Sequence, residues 1–117
     1  MIQKNFTVTK DLTAKKVGSG GLAVLATPAV VQMVENTCFE YLQEKLDSTK
    51  TTVGVKFDVL HLKPSKNGAT ITVEAKLEQR KDRKSVFSFC CYDEENLIAK
   101  GEHQRIEVNI AEFLSQV

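Results

Sequence analysis

Four alternating strand patterns follow one another from Thr52 to Ile110, joined by short polar links, behind a single long helical pattern. That order constrains the fold more than any other feature of the chain. Thr52 to Leu62 alternates, with Val53, Val55, Phe57, Val59 and His61 on one face. Ala69 to Gln79 sets Ala69, Ile71, Val73, Ala75 and Leu77 against Thr70, Thr72, Glu74, Lys76 and Glu78. Ser85 to Tyr92 is rich in aromatics and cysteine, and Leu97 to Ile110 places Ile106, Val108 and Ile110 on one face. A period of two with one apolar side marks a half-buried strand. The links are Pro64 to Gly68, ending in an Asn-Gly turn signal, and two charged tips at Lys81 to Lys84 and Asp93 to Asn96. Short links between consecutive strands predict an antiparallel meander.

An apolar sheet face needs a cover, and one helix is available to supply it. Thr27 suits an N-cap and Pro28 the first helical position, so the spacing predicts a helix from Pro28 to about Asp47. At ~100° per residue, Val31, Cys38, Phe39, Leu42 and Leu46 fall within roughly 60° of Glu35. Glu40, Glu44 and Asp47 take the opposite side, and Met33 falls with them against the pattern. A short strand is expected at Asn5 to Thr9. Leu22 to Ala26 reads as a brief apolar strand or the approach to the helix, and Ala111 to Val117 as one more helical turn. The architecture predicted is α+β: one long helix laid against a wide antiparallel sheet.

The chain of 117 residues is read as a single domain over 1–117, large enough for one core. Its formal charge of +1 gives no electrostatic case for nucleic acid or an anionic membrane. No apolar run approaches the ~18–20 residues of a membrane span. The first sixteen residues lack the apolar segment of a signal peptide. Cys38, Cys90 and Cys91 form no CxxC pair, and in a strand the last two would point to opposite faces, so no metal site is expected. All three read as reduced packing residues, and a cytoplasmic location is expected.

Glu35 falls on the apolar stripe of the helix and His61 on the apolar face of the first long strand, which predicts that the two share the buried helix–sheet layer. A carboxylate there is either a side chain that snorkels to water or a partner for a core histidine. As such a partner it orients the ring and raises its basicity. Desolvation also raises a carboxyl pKa toward base or nucleophile chemistry. Thr27 is a helix cap on one reading. On another it stands where free N–H groups and a positive dipole end suit a developing oxyanion. In a straight helix the eight residues from Thr27 to Glu35 span roughly 12 Å, so either the helix start is irregular or a second subunit brings the groups together. Gly54 reads equally as a bulge and as a point of ligand approach. His103 and Arg105 share a face of the last strand and are expected at the surface, with Arg105 able to meet an anion. The chain holds no phosphate-binding glycine loop, G-x-S-x-G elbow or H-E-x-x-H.

The order Thr27-Pro28-Ala29, Glu35, Thr52-Val53-Gly54, His61-Leu62, Gly68, Asp93 and Gly101-x-His103-x-Arg105 resembles the thioesterases similar to fluoroacetyl-CoA thioesterase, over residues 18–110. The resemblance implies a hotdog fold, a long helix wrapped by a curved antiparallel sheet, in a homodimer or higher homo-oligomer with active sites at the interface. It implies hydrolysis of an acyl-CoA thioester without metal or cofactor, coenzyme A being part of the substrate. By position, Thr27, Glu35 and His61 become the catalytic group, Gly54 a backbone donor to the thioester oxygen and Arg105 a ligand contact. The roles expected are Glu35 as base on water or as nucleophile, His61 as proton shuttle, and Thr27 as the residue that positions the attacking group. The fluoroacetate-specific enzyme carries gating aromatics before its Thr. Here that stretch is Gly18-Ser19-Gly20-Gly21-Leu22, so a general acyl-CoA thioesterase is expected. The rival readings are a hotdog dehydratase or isomerase using His61 and Glu35 as an acid–base pair, and a non-catalytic protein that binds acyl-CoA or another apolar ligand.

Overall fold

A computed structural model describes all 117 residues. Strand β1 (Ile2–Thr7) leads through a 3-10 turn at Lys10–Leu12 and a one-turn helix α1 (Ala14–Val17) to the long helix α2 (Thr27–Gln43). Strands β2 (Lys50–His61), β3 (Thr70–Lys81), β4 (Lys84–Asp93) and β5 (Asn96–Asn109) follow, and α3 (Ile110–Leu114) closes the chain. The sheet has five strands in the order β1-β3-β4-β5-β2, every pair antiparallel. It curves around α2, which touches β1, β2, β3 and β5.

Only β3, β4 and β5 form the predicted meander. After β2 the chain crosses to the other side of the sheet, so β2 and β1 are its two edges. The Asn67-Gly68 signal does not close a hairpin, because a two-residue type I′ turn needs positive φ at both central residues and only Gly68 has it, at φ 94°. That bend instead hands the chain to β1's end, where the Gly68 N–H donates to the Val8 carbonyl and Val8 N–H to the Ala69 carbonyl. The charged tips are true hairpins, turning through Asp82 at φ 57° and Glu94 at φ 55°.

The helix is phased differently from the sequence reading. Its buried residues are Ala29, Val30, Met33, Val34, Thr37, Cys38 and Leu42. Met33, expected outside, is in the core, while Val31, Phe39 and Leu46 are only half-buried. The stripe therefore centres on Val34, Cys38 and Leu42, which moves Glu35 to the flank. The helix also ends at Gln43, four residues short of the expected Asp47. Against it lie Ile71, Val73 and Ala75 of β3, Phe87, Phe89 and Cys91 of β4, and Ala99 of β5. Cys38 and Cys91 are core residues, and burial pushes both thiols up to about 12. Cys90 is only half-buried, on the other face of β4.

Strand β2 does not keep one parity. Gly54 pairs with Arg105 and Lys56 with Gln104, so Val55 is an extra residue in a β-bulge. Before the bulge Thr52 and Gly54 face the helix side. After it Phe57, Val59 and His61 do, and Val53 and Val55 do not join them as the alternation predicts. Val55 is 55% exposed.

Candidate active site

Thr27 does not cap α2. It is the first helical residue, with Ala26 in the extended N-cap position and no side-chain cap bond. Pro28 follows at the second position, where no intrahelical partner for an N–H exists. The Thr27 hydroxyl is thus free of the backbone, and Thr27 Oγ1 lies 2.8 Å from His61 Nδ1. His61 reaches it because the β2 bulge turns the last residue of that strand toward the helix N-terminus. Burial pushes the His61 pKa below its usual value, favouring the neutral ring. Its Nε2 is buried and has no hydrogen-bond partner. A neutral imidazole whose Nδ1 accepts from the threonine carries its proton on that Nε2. The pair lines a cleft of about 310 Å³ whose wall includes Ala14, Ser19, Val24, Ala26, Lys63 and Pro64.

Glu35 belongs to a second group, on the flank of α2 two turns further on. Arg105 Nη1 lies 3.8 Å from Glu35 Oε2. Arg105 is 6% exposed, and its Nε donates to Thr52 Oγ1 at 2.9 Å while Nη2 donates to the Thr52 carbonyl at 3.0 Å. Its Nη1 also donates to His103 Nε2 at 3.1 Å, and His103 Nδ1–H donates to the Lys56 carbonyl at 2.9 Å. These two bonds fix His103 as a neutral ring, and burial, with the Arg105 cation adding to it, lowers its pKa. The Arg105 guanidinium also stands over the Phe39 ring at 5.7 Å. Gly54 leaves room for the carboxylate: a Cβ on it would lie 2.5 Å from Glu35 Oε2 and 3.2 Å from His103 Cε1, so the half-exposed Glu35 side chain would have to shift. Of the two meanings offered for this glycine the bulge is observed, and the carboxylate that approaches it is the chain's own Glu35.

The structure thus sorts the candidates differently from the sequence. Thr27 and His61 are brought together. Glu35 is half-exposed, with 43% of its side chain open, and no hydrogen bond or ion pair joins it to Thr27 or His61 within one chain. The expectation that Glu35 and His61 share a buried layer is corrected, because the helix stripe is phased one position away. His103 and Arg105, expected at the surface, are buried. Their face of β5 carries the small residues Ala99 and Gly101, and Ile106 and Val108 point to the other side, half-buried. Ala99, Gly101, His103 and Arg105 at one parity were the available signal. Thr52 was missed as the residue that holds Arg105. No group of three or more His, Cys, Asp or Glu side chains is gathered as a metal site would require. No helix is long and apolar enough to cross a membrane.

Comparison with known proteins gives the fold and the family. The curated fluoroacetyl-CoA thioesterase of Streptantibioticus cattleyicolor is 26% identical over 94 residues, which are 80% of this chain and 68% of that protein. A crystal structure of a variant of the fluoroacetyl-CoA-specific thioesterase FlK with fluoroacetate and CoA superposes with a TM-score of 0.94 at 21% identity, over 99% of this chain and 95% of that one. The hot-dog-like protein of Thermanaerovibrio acidaminovorans matches with a TM-score of 0.89 at 22% identity, over 97% of this chain and 84% of that one. These likenesses establish the hotdog fold. The family described as fluoroacetyl-CoA-specific thioesterase matches residues 8–111. The chain therefore belongs to the fluoroacetyl-CoA-specific thioesterase family.

Proposed function

We propose that this thioesterase-family protein hydrolyses an acyl-CoA thioester to the free acid and coenzyme A. The observation that carries the reading is the 2.8 Å contact between Thr27 Oγ1 and His61 Nδ1 at the start of α2. A hydroxyl released from capping, bonded to a neutral imidazole, is the arrangement of a nucleophile with its base. In the first step Thr27 Oγ attacks the thioester carbonyl and its proton passes to His61 Nδ1. The C–S bond breaks and the thiol leaves with a proton. In the second step water cleaves the Thr27 ester, releasing the acid and restoring the hydroxyl. The positive end of α2 favours the oxyanion of both steps. Glu35 serves as base for that water, and Arg105 and Gly54 hold it in place. The Gly54 N–H is the further donor to the thioester oxygen. This assigns the attacking oxygen to Thr27 itself, whereas the sequence offered Glu35 or a water activated by it.

A homodimer supports this chemistry, because one chain holds Thr27–His61 and Glu35–Arg105 as separate groups. Strand β2 is an open edge twelve residues long, with Val55, Leu60 and nearby Leu62 exposed, the sort of edge that pairs with another copy. The relative that acts on fluoroacetyl-CoA and the CoA-bound FlK structure favour a CoA thioester. The stretch from Gly18 to Leu22 has no aromatic, and Ser19 is its residue on the cleft, which favours a substrate other than a fluorinated one. The reading needs no metal or cofactor beyond the coenzyme A of the substrate. The absence of disulfides fits a cytoplasmic location.

The test is free-thiol release across a panel of acyl-CoA substrates. Turnover of at least one substrate is expected, lost in Thr27→Ala and His61→Ala and strongly reduced in Glu35→Ala. Full activity in Glu35→Ala would remove the carboxylate from the mechanism. Thermal stabilisation by acyl-CoA without turnover of any substrate would replace hydrolysis with binding.

A further inference from the structure

The β2 bulge is braced from the neighbouring strand. Thr52 precedes it and Lys56 follows it, with Val53, Gly54 and Val55 between them. Two side chains of β5 span that gap. Arg105 donates to Thr52 through Nε and Nη2 and to His103 Nε2 through Nη1, and His103 Nδ1–H donates to the Lys56 carbonyl. His103 is the link that joins the two ends. It is 1% exposed, and its ring packs on Phe57 with 4.9 Å between centroids. Its Cε1 also faces Gly54 inside the bulge.

Both halves of the site depend on that bulge. Past it, Phe57, Val59 and His61 face the helix side because the ladder passes over one residue. A slip of the strand that removed the bulge would turn His61 away from Thr27. Such a slip moves the Lys56 carbonyl by ~3.3 Å. The 2.9 Å bond from His103 Nδ1, made by a ring packed on all sides, would not survive it. Before the bulge, the Glu35 carboxylate approaches Gly54, and Arg105 faces the same oxygen. Serving both ends takes one donor and one acceptor at a fixed separation, which a neutral imidazole supplies.

We propose that His103 is a positioning residue for both steps of the reaction. Its Nδ1–H holds the phase of β2 that brings His61 to Thr27, and its Nε2 holds Arg105 beside Glu35. The inference rests on the hydrolytic reading above and adds a residue that acts only through others. Two amides divide its bonds. An Asn side chain carries its N–H to the place of Nδ1 and keeps the bond to Lys56. A Gln side chain carries its oxygen to the place of Nε2 and keeps the acceptor for Arg105.

The experiment reads the two steps apart in His103→Asn and His103→Gln, with melting temperature as the check on folding. Thiol release is followed through the first turnover, and the acyl-enzyme by intact mass. His103→Asn should form the acyl-enzyme at about the parent's rate and hydrolyse it roughly ten- to hundredfold more slowly, the scale of a small misplacement. A burst of thiol and an acyl adduct should then appear. His103→Gln should slow formation of the acyl-enzyme by a similar factor and show no burst. An equal loss of both steps in the two variants makes His103 merely structural and overturns the proposal, as does parental kinetics in either. If the parent releases no thiol, or Glu35→Ala traps no adduct either, the two-step reading fails by itself. Amide hydrogen exchange then tests the brace. Faster exchange confined to Lys56–His61 in His103→Gln, and absent in His103→Asn, upholds the positioning of His61. Exchange that is unchanged, or raised across the whole sheet in both, overturns it.

Discussion

The two halves of the site are built in opposite ways. Thr27 and His61 meet through one hydrogen bond at the rim of an open cleft, and His61 Nε2 has no partner at all. Glu35 instead leans on Arg105, which is anchored twice to Thr52 and once to His103, itself anchored to Lys56. The first half spends little on structure and leaves its polar atoms uncommitted, as a reacting pair must. In the second, Arg105 is over-determined, and its charge is held in place before any ligand arrives. Substitutions in the first half should therefore cost activity without stability, and those in the second should cost both.

The largest effect is expected at Thr27. Thr27→Ala should lower kcat on the order of a thousandfold, about 4 kcal/mol of barrier, with little change in melting temperature, and Thr27→Ser should recover much of it. A large loss of stability in Thr27→Ala would return the residue to a structural role and break the contrast. At Arg105 the order reverses. Arg105→Met should cost roughly 3 kcal/mol in denaturant unfolding, because it leaves His103 Nε2 and the Thr52 oxygens buried without a donor. Gly54→Ala should cost less than about 1 kcal/mol, since the half-exposed Glu35 carboxylate can swing away from its methyl, and should reduce kcat as Glu35 moves.

The smallest effect separates the two histidines by pH. Burial depresses the folded pKa of His103, so the unfolded chain takes up a proton first as pH falls. Its contribution is fully present above about pH 6.5 and is lost on acidification toward the folded pKa, at up to about 1.4 kcal/mol per pH unit. Stability measured from pH 7.5 to 5 should fall, and His103→Asn should flatten the curve more than His61→Asn does. The activity of the parent should instead follow His61, with an acid limb below its ordinary pKa.

The sequence showed more of the fold than of the site. The strands were legible because Ile71, Val73 and Ala75 alternate cleanly with polar neighbours, and the helix because Pro28 marks its start. Two tertiary effects were not legible. The path of the crossover loop sent β2 to the far edge although its link to β3 ends in a turn signal. A local backbone preference cannot report which strand the chain will meet next. The bulge at Val55 was one reading of Gly54, which interrupts the run, but its effect on parity was not legible, so strict alternation assigned the wrong face to Val53 and Val55. Within the site, the residues themselves were found, including Thr27, His61 and Glu35, but their pairing was not. A shift of one position in the apolar stripe exchanged the expected Glu35–His61 partnership for Glu35–Arg105. His103 escaped because buried polar residues mimic surface ones unless the small residues beside them, Ala99 and Gly101, are read as a buried face.

The bulge in β2 also makes that strand unequal in its tolerance of lost residues. Elsewhere along it, removing one amino acid would invert every side chain downstream and send Phe57, Val59 and His61 into solvent. Removing Val55 would not, since the ladder already passes over that residue and the faces on either side would stay in phase. Such a shortened chain would keep its core and straighten only beside Gly54. One codon, therefore, separates a protein with this fold and a bulged strand beside Glu35 from a protein with the same fold and a regular one.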